Sequence, residues 1–181
     1  MEKRLPIVIA IAAVSGGGKT TITSKLKDKL QNSQALYFDD YDFAGPEDIM
    51  EWIDNGGNPD EWDLSPLIRD IKNIRNEPLE YLILDFPFAY LHTKTSDFID
   101  YAVFIDTPLD IALARRIRRD FKSSSTEIIL KDLETYIVRG RQGYLNMLET
   151  TKPNSDLVVD GTLPINEIVN VITKNIARKD N

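Results

Sequence analysis

The segment Leu5 to Thr21, LPIVIAIAAVSGGGKTT, limits what this chain can fold into more than any other stretch. An unbroken apolar run, Ile7 to Val14, leads through Ser15 into three glycines, then a lysine, two threonines and helix-forming residues. A run that short and that apolar reads as a strand buried on both faces, and the glycines mark a tight turn before a helix. Ala13 to Thr20, AVSGGGKT, fits the Walker A spacing with alanine in place of the first glycine. An alanine is accommodated at a strand end so long as its φ stays negative.

The chemistry of phosphate explains that spacing. Gly16, Gly17 and Gly18 let successive N–H groups converge on anionic oxygens. A helix starting near Gly18 adds unpaired N–H groups and the positive end of its dipole. Lys19 is spaced to reach the β- and γ-phosphates, the Thr20 hydroxyl to ligate Mg²⁺, and Ser15 and Thr21 flank them. The expectation is a site for a nucleoside triphosphate, ATP with Mg²⁺.

A length of 181 residues fits one domain, 1–181, with a sizeable core. The net charge of −7 argues against a nucleic-acid-binding surface. With no cysteine there is neither a disulfide framework nor a thiolate metal site. The single histidine, His92, argues against a histidine-based zinc site; beside a threonine and a lysine it reads as a surface residue rather than a catalytic one and is given no role. Lys3 and Arg4 before an apolar run imitate a secretory signal, but the glycine loop follows without a spacer, so the run is taken as a buried strand. No other segment approaches a membrane span in length, and a cytoplasmic protein without membrane partners is expected. The oligomeric state stays open, a dimer included.

Along the chain, Ile22, Leu26 and Leu30 recur at fourfold spacing, an amphipathic helix over 19–30. Ala35 to Phe38 is a short second strand ending in the acidic cluster Asp39 to Asp42. Pro46 is expected to open a helix through Trp52 and Ile53, stopped by Asn55 to Pro59. Leu64 to Ile74 is helical. Tyr81 to Leu84 is a third strand closed by Asp85, and Ala102 to Ile105 a fourth closed by Asp106, after which Pro108 starts a helix. A polar loop at Lys122 to Thr126 precedes a helix over about 127–148. A fifth strand, Asp156 to Val159, and a helix over 164–176 end the chain. Alternating apolar strands and helices call for an α/β, three-layer P-loop fold with a five-stranded parallel sheet, and for ligands at the carboxyl ends of its strands.

Two aspartates compete for the metal-facing role. Asp85 ends YLILD in the manner of a Walker B carboxylate, whereas Asp106, followed by Thr-Pro, has capping of the next helix as its plain alternative. Asp85 is favoured on motif context. Asp39 and Asp40 end strand two, where a carboxylate can orient an acceptor hydroxyl and take its proton. A solvated acidic turn is the alternative. Which of the two points inward stays open, since neighbours on an extended segment face opposite ways.

The order of these pieces resembles the uridine kinase and nicotinamide riboside kinase group of P-loop small-molecule kinases. SGGGKTT at Ser15 to Thr21 is similar to their phosphate loop, and FDDYDF at Phe38 to Phe43 to their acidic segment. That resemblance implies Asp39 as the catalytic base. EWDLSP at Glu61 to Pro66 resembles their aromatic–aspartate pair, which implies that Asp63 holds acceptor hydroxyls and that Trp62 flanks the base. FIDTPLDIALARRIRRDF at Phe104 to Phe121 is similar to their strand and lid helix. It implies Arg116 at the acceptor ribose, Arg115 and Arg119 at the phosphates, and a small helical lid over about 115–141. DLVVDGT at Asp156 to Thr162 resembles their last strand and adenine-side turn. The chain departs from the group in having Asp85 for the usual glutamate, no histidine-proline-aspartate segment, and KSSST in place of a glycine- and proline-rich lid.

Arg115 and Arg119, four apart, share a helix face and are expected to clamp phosphate oxygens, with Arg139 and Arg141 closing from the other side. Tyr41 and Trp62 are candidates to stack on a flat acceptor. The resulting expectation is an ATP- and Mg²⁺-dependent kinase acting on a small-molecule hydroxyl, a nucleoside foremost, with catalysis by Lys19, Asp39 and Arg119 and contacts from Asp40 and Tyr41. Two alternatives remain. One is a kinase for a nucleoside monophosphate, a pantothenate-like molecule or a sugar phosphate. The other is a nucleotide-operated switch, for which TKPN at Thr151 to Asn154 resembles a guanine-specificity motif, with asparagine where aspartate belongs.

Overall fold

Strand β1 (Ile7–Ala12) is the middle of a five-stranded parallel sheet of order β2-β3-β1-β4-β5. The structure, a computed structural model, describes residues 5–179. The other strands are β2 (Ser33–Tyr37), β3 (Tyr81–Asp85), β4 (Tyr101–Asp106) and β5 (Leu157–Asp160). Each parallel neighbour requires a crossover, and helices supply it. The helices are α1 (Lys19–Lys29), α2 (Ile49–Asp54), α3 (Ser65–Ile74), α4 (Thr93–Ser96), α5 (Leu109–Asp120), α6 (Thr126–Thr135), α7 (Arg141–Glu149) and α8 (Ile165–Lys179).

Alternation along β1 divides the core. Val8, Ala10 and Ala12 face one layer with Leu82, Leu84, Leu67 and Ile71 of α3, and Ala112 of α5. Ile9 and Ile11 face the other with Ile22 and Leu26 of α1 and Ile168, Val169, Ile172 and Ile176 of α8. Because β1 is buried on both faces, its run is continuously apolar, as the sequence pattern requires. The register aligns Ile11 with Asp85, which brings the end of β3 beside the exit of β1 into the glycine loop.

Several boundaries differ from the sequence expectation. Helix α2 begins at Ile49 rather than near Pro46, because the Asp48 carboxylate accepts from the Met50 and Glu51 amides at 2.8 and 3.1 Å. Phe38–Asp40 form a 3₁₀ turn rather than an extended segment. The helix expected over 127–148 is interrupted by a π-helical turn at Tyr136–Gly140, a feature that re-aims side chains within a helix. His92, expected at the surface, is buried; its ring nitrogens lie 3.1 Å from the Thr95 hydroxyl and 3.2 Å from the Trp62 carbonyl oxygen. Among the described residues no helix is long and apolar enough to cross a membrane.

Candidate active site

The glycine loop joins β1 to α1 through backbone conformations that favour glycine. Gly16 and Gly18 have φ of +79° and +101°. The Gly17 amide donates to the Val14 carbonyl at 2.8 Å, and the Thr107 hydroxyl donates to the Gly17 carbonyl at 2.9 Å. A Cβ on Gly16 would run into the Ala112 carbonyl, so this glycine lets α5 lie directly on the loop. Gly18 faces open space at the helix N-terminus, with Thr20 and Thr21 exposed in the first turn of α1.

Lys19 reaches across to β3 and pairs with Asp85, whose residue is only 3% exposed. Burial pulls the Lys19 ammonium down to about 8. Asp39 opposes that pull, while Arg119 adds to it. Asp39 also raises Arg119, whereas Asp40 acts on Tyr41 instead. The 3₁₀ turn therefore gives the two aspartates different surroundings, with Asp39 on the side of the loop lysine and α5.

The donors offered to a cation here are hard oxygens, a buried carboxylate at Asp85 and a hydroxyl at Thr20. That set suits Mg²⁺, which keeps waters and phosphate oxygens in its shell and needs few protein ligands. Among the described residues no cluster of three acidic or histidine ligands forms a self-sufficient metal cage. Asp106 caps no helix; its carboxylate accepts from Lys152 at 2.6 Å. The same contact commits the lysine of TKPN, while Asn154 donates to the Thr150 carbonyl at 2.7 Å.

The arginines do not form one clamp. Arg119 donates through Nε and Nη2 to the Asp120 carboxylate, at 2.6 and 3.0 Å, with one nitrogen 3.5 Å from the Ser15 hydroxyl. Arg116 forks onto Asp132 of α6 at 3.1 and 2.5 Å. Arg115, Arg118 and Arg141 are exposed. Arg139, expected to close on phosphate, is held by Asp54 of α2 at 2.5 Å.

Beside the loop lies a cavity of about 530 Å³ between α2, the segment from Asn58 to Trp62, and α6–α7. Trp52, Trp62, Phe88, Tyr136 and Tyr144 give it aromatic walls, and Ser15 belongs both to its wall and to the glycine loop. Trp52 and Trp62 meet edge to face at 5.9 Å, as do Tyr136 and Tyr144 at 5.2 Å. Trp62 and Arg116, expected at the acceptor, are in this wall. Tyr41 is not; its ring stacks on Phe43 at 5.2 Å and its hydroxyl donates to Asp70 at 2.9 Å, which raises its pKa together with burial. Asp63 is not among the wall residues either. Its carboxylate accepts from the Ser65 amide and hydroxyl at 3.1 and 2.5 Å, which pulls its pKa down and fixes the start of α3. Sequence reading missed Asp132, Tyr136 and Tyr144, all on helices where local spacing carries no sign of a cavity.

No family model matches the chain. Uridine kinase of Borrelia hermsii (strain HS1 / DAH) is 26% identical over 176 residues, covering 84% of this chain and 85% of that protein. Uridine kinase of Lactobacillus johnsonii (strain CNCM I-12250 / La1 / NCC 533) is 26% identical over 189 residues, covering 88% of each. The solved structure of deoxyadenosine kinase from M. mycoides with bound dATP superposes with a TM-score of 0.56 at 18% identity, covering 94% of this chain and all (100%) of that one. In sequence this chain is similar to the uridine kinases over most of its length, and its fold is that of the P-loop small-molecule kinases.

Proposed function

We propose that this protein is a Mg²⁺- and ATP-dependent kinase that moves the γ-phosphoryl group to a hydroxyl of a small molecule, a nucleoside first among candidates. The observation that carries the reading is the shared wall at Ser15, which sets a phosphate-binding loop against an aromatic cavity. A donor phosphate and a flat acceptor placed in those two sites would meet at the loop. The wall is mostly apolar with a few polar groups, the usual make-up of a small-molecule site.

In this reading the loop amides and Lys19 hold the donor phosphates, and Arg119, beside Ser15, neutralises charge that develops on the transferring group. Thr20 and Asp85 would hold Mg²⁺, which would supply charge neutralisation on the donor phosphates. Asp39 orients the acceptor hydroxyl and takes its proton. The oxygen forms its bond to the γ-phosphorus, the bond from that phosphorus to the β–γ bridging oxygen breaks, and ADP leaves with the electron pair. Trp62 packs on the acceptor and Arg116 lies at its polar end. The same reading takes the chain as one kinase domain with residues 115–141 as its lid, working in the cytoplasm where ATP is held.

The test is ADP release from Mg-ATP across a panel of nucleosides and other small hydroxyl compounds, with wild type and Asp39→Asn in parallel. Acceptor-dependent release by wild type alone supports the reading and names the acceptor class. ATP binding with no acceptor-dependent release across the panel overturns it for nucleosides.

A further inference from the structure

We propose that Asp132 sets the charge preference of the acceptor cavity: by holding Arg116 in a neutral pair, it makes the site one for uncharged hydroxyl compounds and against phosphorylated ones. This rests on the kinase reading and deepens it.

Among the described residues lining the cavity, Arg116 and Asp132 are the only charged side chains. They come from different helices on either side of the loop after α5, and meet through two parallel contacts, Nη1 to Oδ1 at 3.1 Å and Nη2 to Oδ2 at 2.5 Å. That fork-to-fork geometry is what a guanidinium otherwise offers a phosphate. With side chains 15% and 23% exposed, the pair is largely withdrawn from water. Phe121 lies under the guanidinium, with its ring centroid 6.0 Å away, and Asp120 and Tyr144 are the other groups acting on it.

Of the neighbouring arginines, Arg139 is likewise held, by Asp54, and Arg119 lies at Ser15 on the donor side of the wall. A phosphate dianion entering the cavity would lose hydration in an apolar, aromatic wall, find the one cation already bidentate, and face the carboxylate that holds it. An uncharged acceptor meets none of these costs. Removing the carboxylate charge frees the fork and should convert the same wall into an anion site.

The experiment titrates the full chain calorimetrically with uridine and with uridine 5′-monophosphate, in wild type, Asp132→Asn, Asp132→Glu and the double variant Arg116→Gln/Asp132→Asn. Wild type should bind the monophosphate about tenfold more weakly than uridine. Asp132→Asn should shift that ratio about tenfold toward the monophosphate. Asp132→Glu should keep the wild-type ratio, and the double variant should lose the gain. A ratio in Asp132→Asn within about threefold of wild type overturns the proposal, as does wild type binding both compounds equally. Absence of monophosphate binding by Asp132→Asn also overturns it. If Asp132→Asn does not fold, Asp132→Ser is titrated in its place with the same shift expected and the same result overturning the proposal. Failure of the kinase reading is visible separately, as no nucleoside-dependent ADP release by wild type.

Discussion

Lys19, the first residue of α1, places its ammonium on the carboxylate of Asp85, the last residue of β3. The two are 66 positions apart, and the parallel register of β1 and β3 brings them together at the end of the sheet where the glycine loop opens. Removing one member of such a pair leaves the other charge buried without a partner, which costs more than the pair itself contributes. Asp85→Asn should therefore lower stability by about 3 kcal/mol. Urea unfolding of wild type and variant checks this; a loss under about 1 kcal/mol would mean that the pair is as weak as an exposed one.

The two left-handed glycines of the loop make a second, ordered prediction. At Gly16 an added methyl meets both an unfavourable φ and the Ala112 carbonyl of α5, which is backbone and cannot step aside. At Gly18 only the φ is unfavourable, because the space is open. Gly18→Ala should cost about 1 kcal/mol and leave a folded protein. Gly16→Ala should cost more and push α5 away from the loop, weakening ATP binding as well. Thermal unfolding with and without ATP gives the order; equal losses at both positions would contradict it.

Asp39 and Asp40 are neighbours in one 3₁₀ turn, yet only Asp39 acts on Lys19 and Arg119. If Asp39 takes the acceptor proton, Asp39→Asn should lower kcat by about 10²-fold or more while the Kd for ATP stays nearly unchanged. Asp40→Asn should leave kcat within about threefold of wild type. Comparable losses in the two variants, read by steady-state ADP release, would remove the distinction.

How much of this was legible in the sequence depends on how far apart the cooperating residues stand. The strand, loop and helix from Ile7 to Lys29 were, because strand burial, turn glycines and helix start are all signalled within a few residues. Asp85 was legible for the same reason, as the polar end of an apolar strand. Arg116 was visible as an arginine on a helix but not as a paired one, since Asp132 lies beyond a loop on the next helix. Arg139 shows only its charge in the sequence; its partner, Asp54, is 85 positions away. His92 sits beside polar Thr93 and Lys94 in sequence, whereas its burial comes from contacts 30 or more positions away, with Asp60 and the Trp62 carbonyl against its ring. The π-helical turn left no trace in the apolar spacing, although α2 packs against it as well as against α7.

Trp62 and Tyr41 were equal candidates for stacking on an acceptor, and the cavity separates them. Trp62 lines the cavity beside Trp52, and a Cβ on Gly45 would strike its ring, so the indole is held from behind by backbone. Tyr41 spends its ring on Phe43 and its hydroxyl on Asp70. Trp62→Ala should then raise the acceptor KM by about tenfold or more, with the ATP KM nearly unchanged, because the lost contact is large and lies only on the acceptor side. Tyr41→Phe removes a single hydrogen bond and should cost about 1 kcal/mol of stability with neither KM altered. A Tyr41→Phe variant that loses acceptor affinity while Trp62→Ala keeps it would place the acceptor outside the cavity, on the acidic turn that follows β2.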